Sequence, residues 1–270
     1  MNNELISWEE SVTMLKSQPD KQELVKACFF DDPLDEALSR YYSSSEWVEI
    51  QELLKKVYRG KALDIGAGRG IASFALAKDG WNVFALEPDS SEMIGSGAIK
   101  KIARDFALQI EVIETKGENL PFEDNSFDLV HARQVLHHAS DLGQMCKEIY
   151  RVLKPGGTFI ATREHVISKK SDLNKFLEKH PLHHLYGGEN AFLLKEYLSA
   201  ITNSGLKISK ILKPYSSNIN LYPLTKETLL EKIEDKIKIS LPHFLLNFIV
   251  KVYERNTNNP GRIYSFIATK

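Results

Sequence analysis

The chain has only two cysteines, Cys28 and Cys146, in 270 residues. They lie far apart and match no zinc or redox spacing, which excludes a metal knuckle and a dithiol centre. Two free thiols fit a reducing, cytoplasmic compartment. No run approaches the ~18 consecutive apolar residues of a membrane span. The opening stretch MNNELISWEE carries acid and no apolar h-region, so it does not read as a signal peptide. Charge of one sign is not in excess either. The formal net charge is −1, which gives no support for a nucleic-acid partner. Internal repeats and low-complexity segments are also missing. What is present is the balance of an ordinary globular protein, 43% hydrophobic and 26% charged, in a chain long enough to bury a sizeable core.

Three kinds of pattern succeed one another. Residues 1–58 show helical spacing in stretches such as Trp47, Ile50, Leu53, Leu54 and Val57, and read as a helical N-terminal cap. From 59 to 213, short apolar runs alternate with amphipathic stretches. Ala62–Ile65, Val83–Leu86, Ile110–Ile113, Phe127–His131 and Thr158–Thr162 read as strands. Ile71–Lys78, Ser91 to about Ala107, and Asp141–Leu153 read as helices, the last stopped by Lys154-Pro155-Gly156-Gly157. Strands alternating with helices predict a doubly wound α/β fold, with a mostly parallel sheet covered on both faces. Leu206–Leu212 and Arg262–Thr269 supply two further strands, the second forming the last part of the core at 261–270. The intervening residues 214–260 are too many for a structureless loop. Helical spacing at Leu229, Ile233 and Ile237, then at Leu245, Phe248, Ile249 and Val252, predicts a helical insertion of two helices broken near Leu241-Pro242.

The sharpest local signal is Leu63-Asp64-Ile65-Gly66-Ala67-Gly68-Arg69-Gly70, an apolar strand that runs into three alternate glycines before a helix. Glycines there allow a tight turn and the close approach of a ligand. The pattern is neither the dinucleotide fingerprint, since Ile71 stands where its third glycine belongs, nor a Walker loop, since no Gly-Lys-Ser/Thr follows. Glu87 ends the next strand, 21 residues after Gly66, where a carboxylate can accept both hydroxyls of a ribose.

Four segments carry a resemblance: LDIGAGRG at 63–70, ALEPD at 85–89, ENLPFEDNSFDLV at 118–130 and RVLKPGG at 151–157. By their order and spacing, the region from about 60 to 165 resembles the class I S-adenosylmethionine-dependent methyltransferases, in the small-molecule branch that includes the quinone-biosynthesis enzymes. The resemblance implies a Rossmann-like sheet of seven strands, S-adenosylmethionine as cofactor and a small-molecule methyl acceptor. It implies that Gly66, Ala67 and Gly68 touch the methionine part, with Asp64 beneath them. Glu87 would hold the ribose hydroxyls, and Pro88 and Asp89 would lie near the adenine. Related sequences often carry an Asp where this chain has Lys116, so the adenine contact falls to the backbone of Gly117 and Glu118 or to the Glu118 side chain. Arg133, at a strand end, is suited to the cofactor carboxylate, and Gln134 would border the methionine.

Seven of the eight histidines fall between 131 and 184. A phenol or alcohol acceptor favours a base near neutral pKa, which histidine supplies. His165 and His184 are the expected general bases, with Glu164 orienting them; a second reading makes these histidines polar pocket or surface groups without a proton-transfer role. A metal reading would draw on Glu164, His165, His183, His184 and Glu189, but no standard zinc spacing links them and no metal is assigned. Arg40-Tyr41-Tyr42 in the cap could set an aromatic ring against the methionine chain. The insertion is open to three roles: wall of the acceptor site, homodimer contact or membrane surface. Lysines that alternate with acids between 226 and 238 disfavour the last. The expected reaction is methyl transfer to a hydroxyl or carboxyl oxygen. The alternatives are a different group transfer from the same cofactor, or a cofactor-binding protein with a degenerate, regulatory site. The signature [DN]-P-P-[YFW] of adenine and amide N-methylation is absent after the fourth strand.

Overall fold

Apolar runs that end in turn residues become strands in the computed structural model, which describes residues 5–238 and 241–270. Met1 to Glu4 of the opening stretch, and the side chain of Ile237, lie outside the described residues. The cap comprises α1 (Trp8–Lys16), α2 (Gln22–Ala27), α3 (Leu34–Tyr42) and α4 (Ser45–Leu54). The core follows with β1 (Lys61–Ile65), α5 (Ile71–Lys78), β2 (Asn82–Leu86), α6 (Ser96–Asp105), β3 (Ile110–Ile113), β4 (Phe127–Arg133), α7 (Leu142–Val152) and β5 (Leu153–Ile167). Next come α8 (Leu173–Lys179), α9 (His183–Tyr186), β6 (Phe192–Leu193), α10 (Leu194–Asn203) and β7 (Lys207–Leu212). The chain closes with α11 (Asn218–Leu221), α12 (Lys226–Ile237), α13 (His243–Asn256) and β8 (Arg262–Thr269).

Seven strands lie in the order β3-β2-β1-β4-β5-β8-β7. The first five pair in parallel, and β8 runs antiparallel between β5 and β7. The two-residue β6 adds a short parallel pairing on the end of β5. Successive residues of a strand face opposite sides of the sheet. Leu63 and Ile65 therefore join α7 and α10 in one core, while Ala62 joins α3, α4 and α5 in the other. Chain order reverses between β1 and β4, so the carboxyl ends of these two strands open a crevice.

Two parts differ from expectation. β5 is not a five-residue strand after a free Lys-Pro-Gly-Gly loop. The loop itself lies in the strand: the Gly156 amide donates to the Lys270 carbonyl, and the Lys270 amide to that of Gly157. Beyond Thr162 the strand continues through Glu164 and His165, which pair with Tyr264 and Ile263 of β8 across a bulge. The insertion forms the two helices α12 and α13, but its first part belongs to the core. Ile219 is fully buried, the Asn220 amide nitrogen donates to the Leu212 carbonyl, and the Ser265 hydroxyl donates to the Asn220 side-chain oxygen. Among the described residues no helix is long and apolar enough to cross a membrane.

Candidate active site

The crevice deepens into a cavity of about 760 Å³ at the carboxyl ends of β1, β2, β4 and β5, within the usual size for small-molecule sites. Its floor is the glycine loop. Gly66 and Gly68 both hold positive φ, at +62° and +54°, the left-handed region that side chains resist. A Cβ on Gly66 would stand 2.6 Å from Val135 Cγ2, so the loop lies flat on β4's continuation. At Gly68 nothing comes nearer than 4.0 Å, which leaves space for a ligand.

Beneath the loop, the buried Asp64 accepts from the Ser73 hydroxyl at 2.6 Å and meets His131 Nδ1 at 2.8 Å. Asp64 therefore ties α5 and β4 to β1. Glu87 is 93% buried, its relative exposure being 7%. One oxygen accepts from the Gly68 amide at 2.7 Å and the other from the Asp89 amide at 2.9 Å. Each oxygen keeps a further lone pair for a ligand hydroxyl. Burial raises the Glu87 pKa against the pull of these amides. Ala67, Pro88, Asp89, Lys116, Gly117, Glu118 and Gln134 all line the same cavity. Gln134 does so from a positive φ of +57°, with its amide donating to the Thr162 carbonyl at 2.9 Å. Ser140 donates to Glu118 Oε1 through both amide and hydroxyl at 2.8 Å, so that oxygen is already engaged.

Arg133 departs from expectation. Its guanidinium grips the fully buried Glu46 with two bonds, Nε to Oε1 at 2.6 Å and Nη2 to Oε2 at 3.0 Å. Arg163 lies 3.9 Å from the same carboxylate. Two arginines over one acid leave an excess positive charge at the cavity wall. Arg133 thus lines the cavity already paired. Tyr41 and Tyr42 do not reach it: Tyr41 is buried among Phe29, Trp47 and Arg133, and the Tyr42 hydroxyl donates to Asp79. The cap instead contributes Trp8, Leu15, Leu24, Cys28 and Phe30. It closes on the connection that carries α9, with Trp8 packed 4.6 Å from Tyr186 and the Ile6 amide donating to the Leu185 carbonyl.

The same cavity is lined by a wall of histidines, and its membership differs from the expected one. His184 is exposed on α9 and faces away from the cavity, because Leu182, Leu185 and Tyr186 take the inward positions against α1. Glu164 does not bond to His165. It is completely buried and accepts the amides of Val135, Leu136 and His137 at 3.0–3.1 Å, and it meets His137 Nδ1 at 2.7 Å. His165 lines the cavity, with Nδ1 held by the Gly261 carbonyl at 3.2 Å. Burial pulls its pKa down to about 3, which makes the free imidazole a poor base at neutral pH. Burial likewise lowers His137 well below its usual value and takes His180 to about 4. The residues at the centre of the wall are His137, His165, His180 and Glu189. The clustering of histidines is visible in the sequence; the choice among them is not.

An open α/β crevice with a glycine loop at one strand end and a buried acid at the next has the layout of a nucleoside-binding site. A family model described as a methyltransferase domain matches residues 63–161. An uncharacterized protein of Methanocaldococcus jannaschii is 32% identical over 180 residues, 65% of this chain and 80% of that protein. The ubiquinone/menaquinone biosynthesis C-methyltransferase of Brucella abortus is 33% identical over 102 residues, 37% of this chain and 38% of that enzyme. Among solved structures, the geranyl diphosphate C-methyltransferase from Streptomyces coelicolor, in complex with Mg²⁺, geranyl diphosphate and S-adenosylhomocysteine, shares the fold at a TM-score of 0.59 and 14% identity. The match covers 90% of this chain and 86% of that one. The chain spans less than half of the sterol and quinone-biosynthesis methyltransferases it matches. The chain belongs to the class I S-adenosylmethionine-dependent methyltransferases, and S-adenosylmethionine is its cofactor.

Proposed function

We propose that this enzyme transfers the methyl group to a small acceptor, at a hydroxyl or carboxyl oxygen held against the histidine wall. The observation behind this reading is that the glycine loop with Glu87 and the wall of His137, His165, His180 and Glu189 line one and the same cavity. The cofactor supplies an electrophilic methyl on a sulfonium. Gly66, Ala67 and Gly68 would receive its methionine part, Glu87 the ribose, and Pro88, Gly117 and Glu118 the adenine. The surplus charge of Arg133 and Arg163 over Glu46 favours its carboxylate, with Gln134 beside it. The protein's own part is to orient the acceptor and exclude water beneath the cap. Neutral imidazoles hold an acceptor oxygen in place; a carboxylate oxygen takes the methyl without a base, whereas a hydroxyl would pass its proton to the lone-pair nitrogen of a wall imidazole as its oxygen gains the methyl.

The wall is polar while the rest of the lining is mostly apolar, which suits a compact acceptor with one polar end. The free thiols of Cys28 and Cys146 favour a cytoplasmic setting. The exposed apolar side of α13 favours a homodimer through the insertion. Calorimetric titration with S-adenosylmethionine, then an acceptor screen read by the mass gain of one methyl, tests the reading. His165→Ala is expected to leave cofactor affinity unchanged and to lower turnover. A product gaining any other group would point to a different transfer, and binding without any product to a regulatory role.

A further inference from the structure

We infer that His137, His165 and Glu189 form a binding site for one divalent first-row transition-metal ion, zinc or a neighbour, in the wall of the cavity. Their ligand atoms all lie within 4.8 Å of one another. The residues come from three separate segments, which is why no metal-binding spacing shows in the sequence.

The hydrogen bonds around the trio leave lone pairs facing each other. His137 stands between two buried carboxylates, with Nδ1 2.7 Å from Glu164 and Nε2 3.7 Å from Glu189 Oε2. A neutral imidazole has one proton, and the short contact puts it on Nδ1, toward Glu164. Nε2 then presents a lone pair to a carboxylate oxygen. That oxygen, Glu189 Oε2, is buried and has no hydrogen-bond partner. The Glu189 side chain as a whole is only 5% exposed. In the same way the Gly261 carbonyl takes the Nδ1 proton of His165 and leaves its Nε2 for a ligand. Converging acceptors with no donor between them call for a cation.

Each ligand also has its own orienting partner, as metal-binding side chains do. Glu164 fixes His137, the Gly261 carbonyl fixes His165, and the Tyr186 hydroxyl bonds to Glu189 Oε1. Two imidazoles and one carboxylate suit zinc, iron(II) or cobalt(II) rather than magnesium or calcium, which prefer all-oxygen sets. Ligand atoms around a tetrahedral zinc stand about 3.3 Å apart, so side-chain shifts of about 1 Å close the site. Three protein ligands leave at least one position open. That the open position takes an oxygen of the methyl acceptor rests on the reading above; the metal site itself does not.

The metal titration needs neither cofactor nor acceptor. The full chain, stripped with chelator, is titrated with zinc by calorimetry, and with cobalt(II) by the visible absorption of a four- or five-coordinate site. We expect one equivalent to bind, with affinity falling at least 100-fold in His137→Ala and in Glu189→Gln. Glu164→Gln, which weakens the orienting partner of His137 and part of the acceptor set for the 135–137 amides but removes no ligand, is expected to lower it by about 10- to 100-fold. His184→Ala, on the exposed face, should change nothing. Circular dichroism and S-adenosylmethionine affinity confirm that each variant is folded. His165→Asn gives an independent check should His137→Ala fail to fold. No stoichiometric binding, or binding that survives both His137→Ala and Glu189→Gln, overturns the proposal. The first result would assign a proton to the space between His137 and Glu189, and the second would place the metal elsewhere on the surface.

Discussion

Arg133, at the end of the central strand β4, holds Glu46 of the cap by two hydrogen bonds at 2.6 and 3.0 Å, across 87 residues of sequence. The pair joins the cap to the sheet beside the cavity. Glu46 is fully buried, and its charge is met directly by Arg133 and, at 3.9 Å, by Arg163. Removing one partner of a buried pair leaves the other charge uncompensated, at a cost of about 3–5 kcal/mol. Glu46→Gln is therefore expected to destabilise the protein by that order, seen as a lower urea midpoint at neutral pH.

The same pair sets an acid dependence. Burial alone would raise the Glu46 pKa, but Arg133 and Arg163 outweigh it and hold the group below its usual value. A carboxylate lowered in the fold gives stability that is complete above its unfolded pKa of about 4.3. That stability is lost as pH falls through the lowered folded value. Between pH 7 and pH 3, the wild-type urea midpoint should thus fall more steeply than that of Glu46→Gln, and the two curves should converge in acid. Parallel curves would show that Glu46 gives no pH-linked stability.

Glu87 leads to a prediction about binding. Its two oxygens already accept the Gly68 and Asp89 amides, so the carboxylate is fixed before a ligand arrives. Losing the charged acceptor of two ribose hydroxyls should weaken S-adenosylmethionine by about 100-fold in Glu87→Ala. Glu87→Gln, which keeps one acceptor oxygen, should lose less. Calorimetry on variants of unchanged circular dichroism measures both. Undiminished affinity in Glu87→Ala would remove Glu87 from the cofactor site.

The glycine loop separates stability from binding. In Gly66→Ala the new Cβ meets Val135 at 2.6 Å on a backbone at φ +62°, so the loop must shift and the fold loses stability. In Gly68→Ala the Cβ enters open space, and only the backbone penalty of about 1 kcal/mol remains. The second variant should melt close to wild type yet bind the cofactor poorly, because its methyl fills the ligand's space. The first should lose both stability and binding. Thermal melts paired with calorimetry tell the two apart, and equal binding by Gly68→Ala and wild type would place the ligand away from the loop.

The loop, Glu87 and the order of strands and helices are legible in the sequence because their signals are local: alternate glycines after an apolar run, or an acid at a strand end. What escapes is set by long-range packing. Glu46 meets Arg133 only after the cap folds onto the sheet, and nothing near Trp47 announces a buried acid. Glu164 turns toward the 135–137 amides because the bulge in β5, where Arg163 takes φ +62°, resets the side-chain alternation that the run of 158–162 suggests. His184 turns outward because the four-residue α9 takes its rotation from Leu182, Leu185 and Tyr186 against α1. Residue type names the wall's polar character, while packing decides that His137 and Glu189 join it.

The insertion offers a prediction far from the cavity. α13 buries Leu246 but leaves Phe244 70%, Phe248 63% and Tyr253 54% exposed. Phe244 and Phe248 are one helical turn apart, with Val252 a turn further on, so the aromatic rings share one side of the helix with an aliphatic neighbour. Such a stripe on a free surface marks a contact site. With the homodimer proposed above, the wild-type protein should elute as a dimer in size exclusion with light scattering. The double substitution Phe244→Glu and Phe248→Glu should shift it to the monomer, because carboxylates would have to be buried unpaired across the two copies. α13 contributes no residue to the lining of the cavity, so S-adenosylmethionine affinity should not change. A wild-type monomer at micromolar concentration would rule out this face as a self-contact.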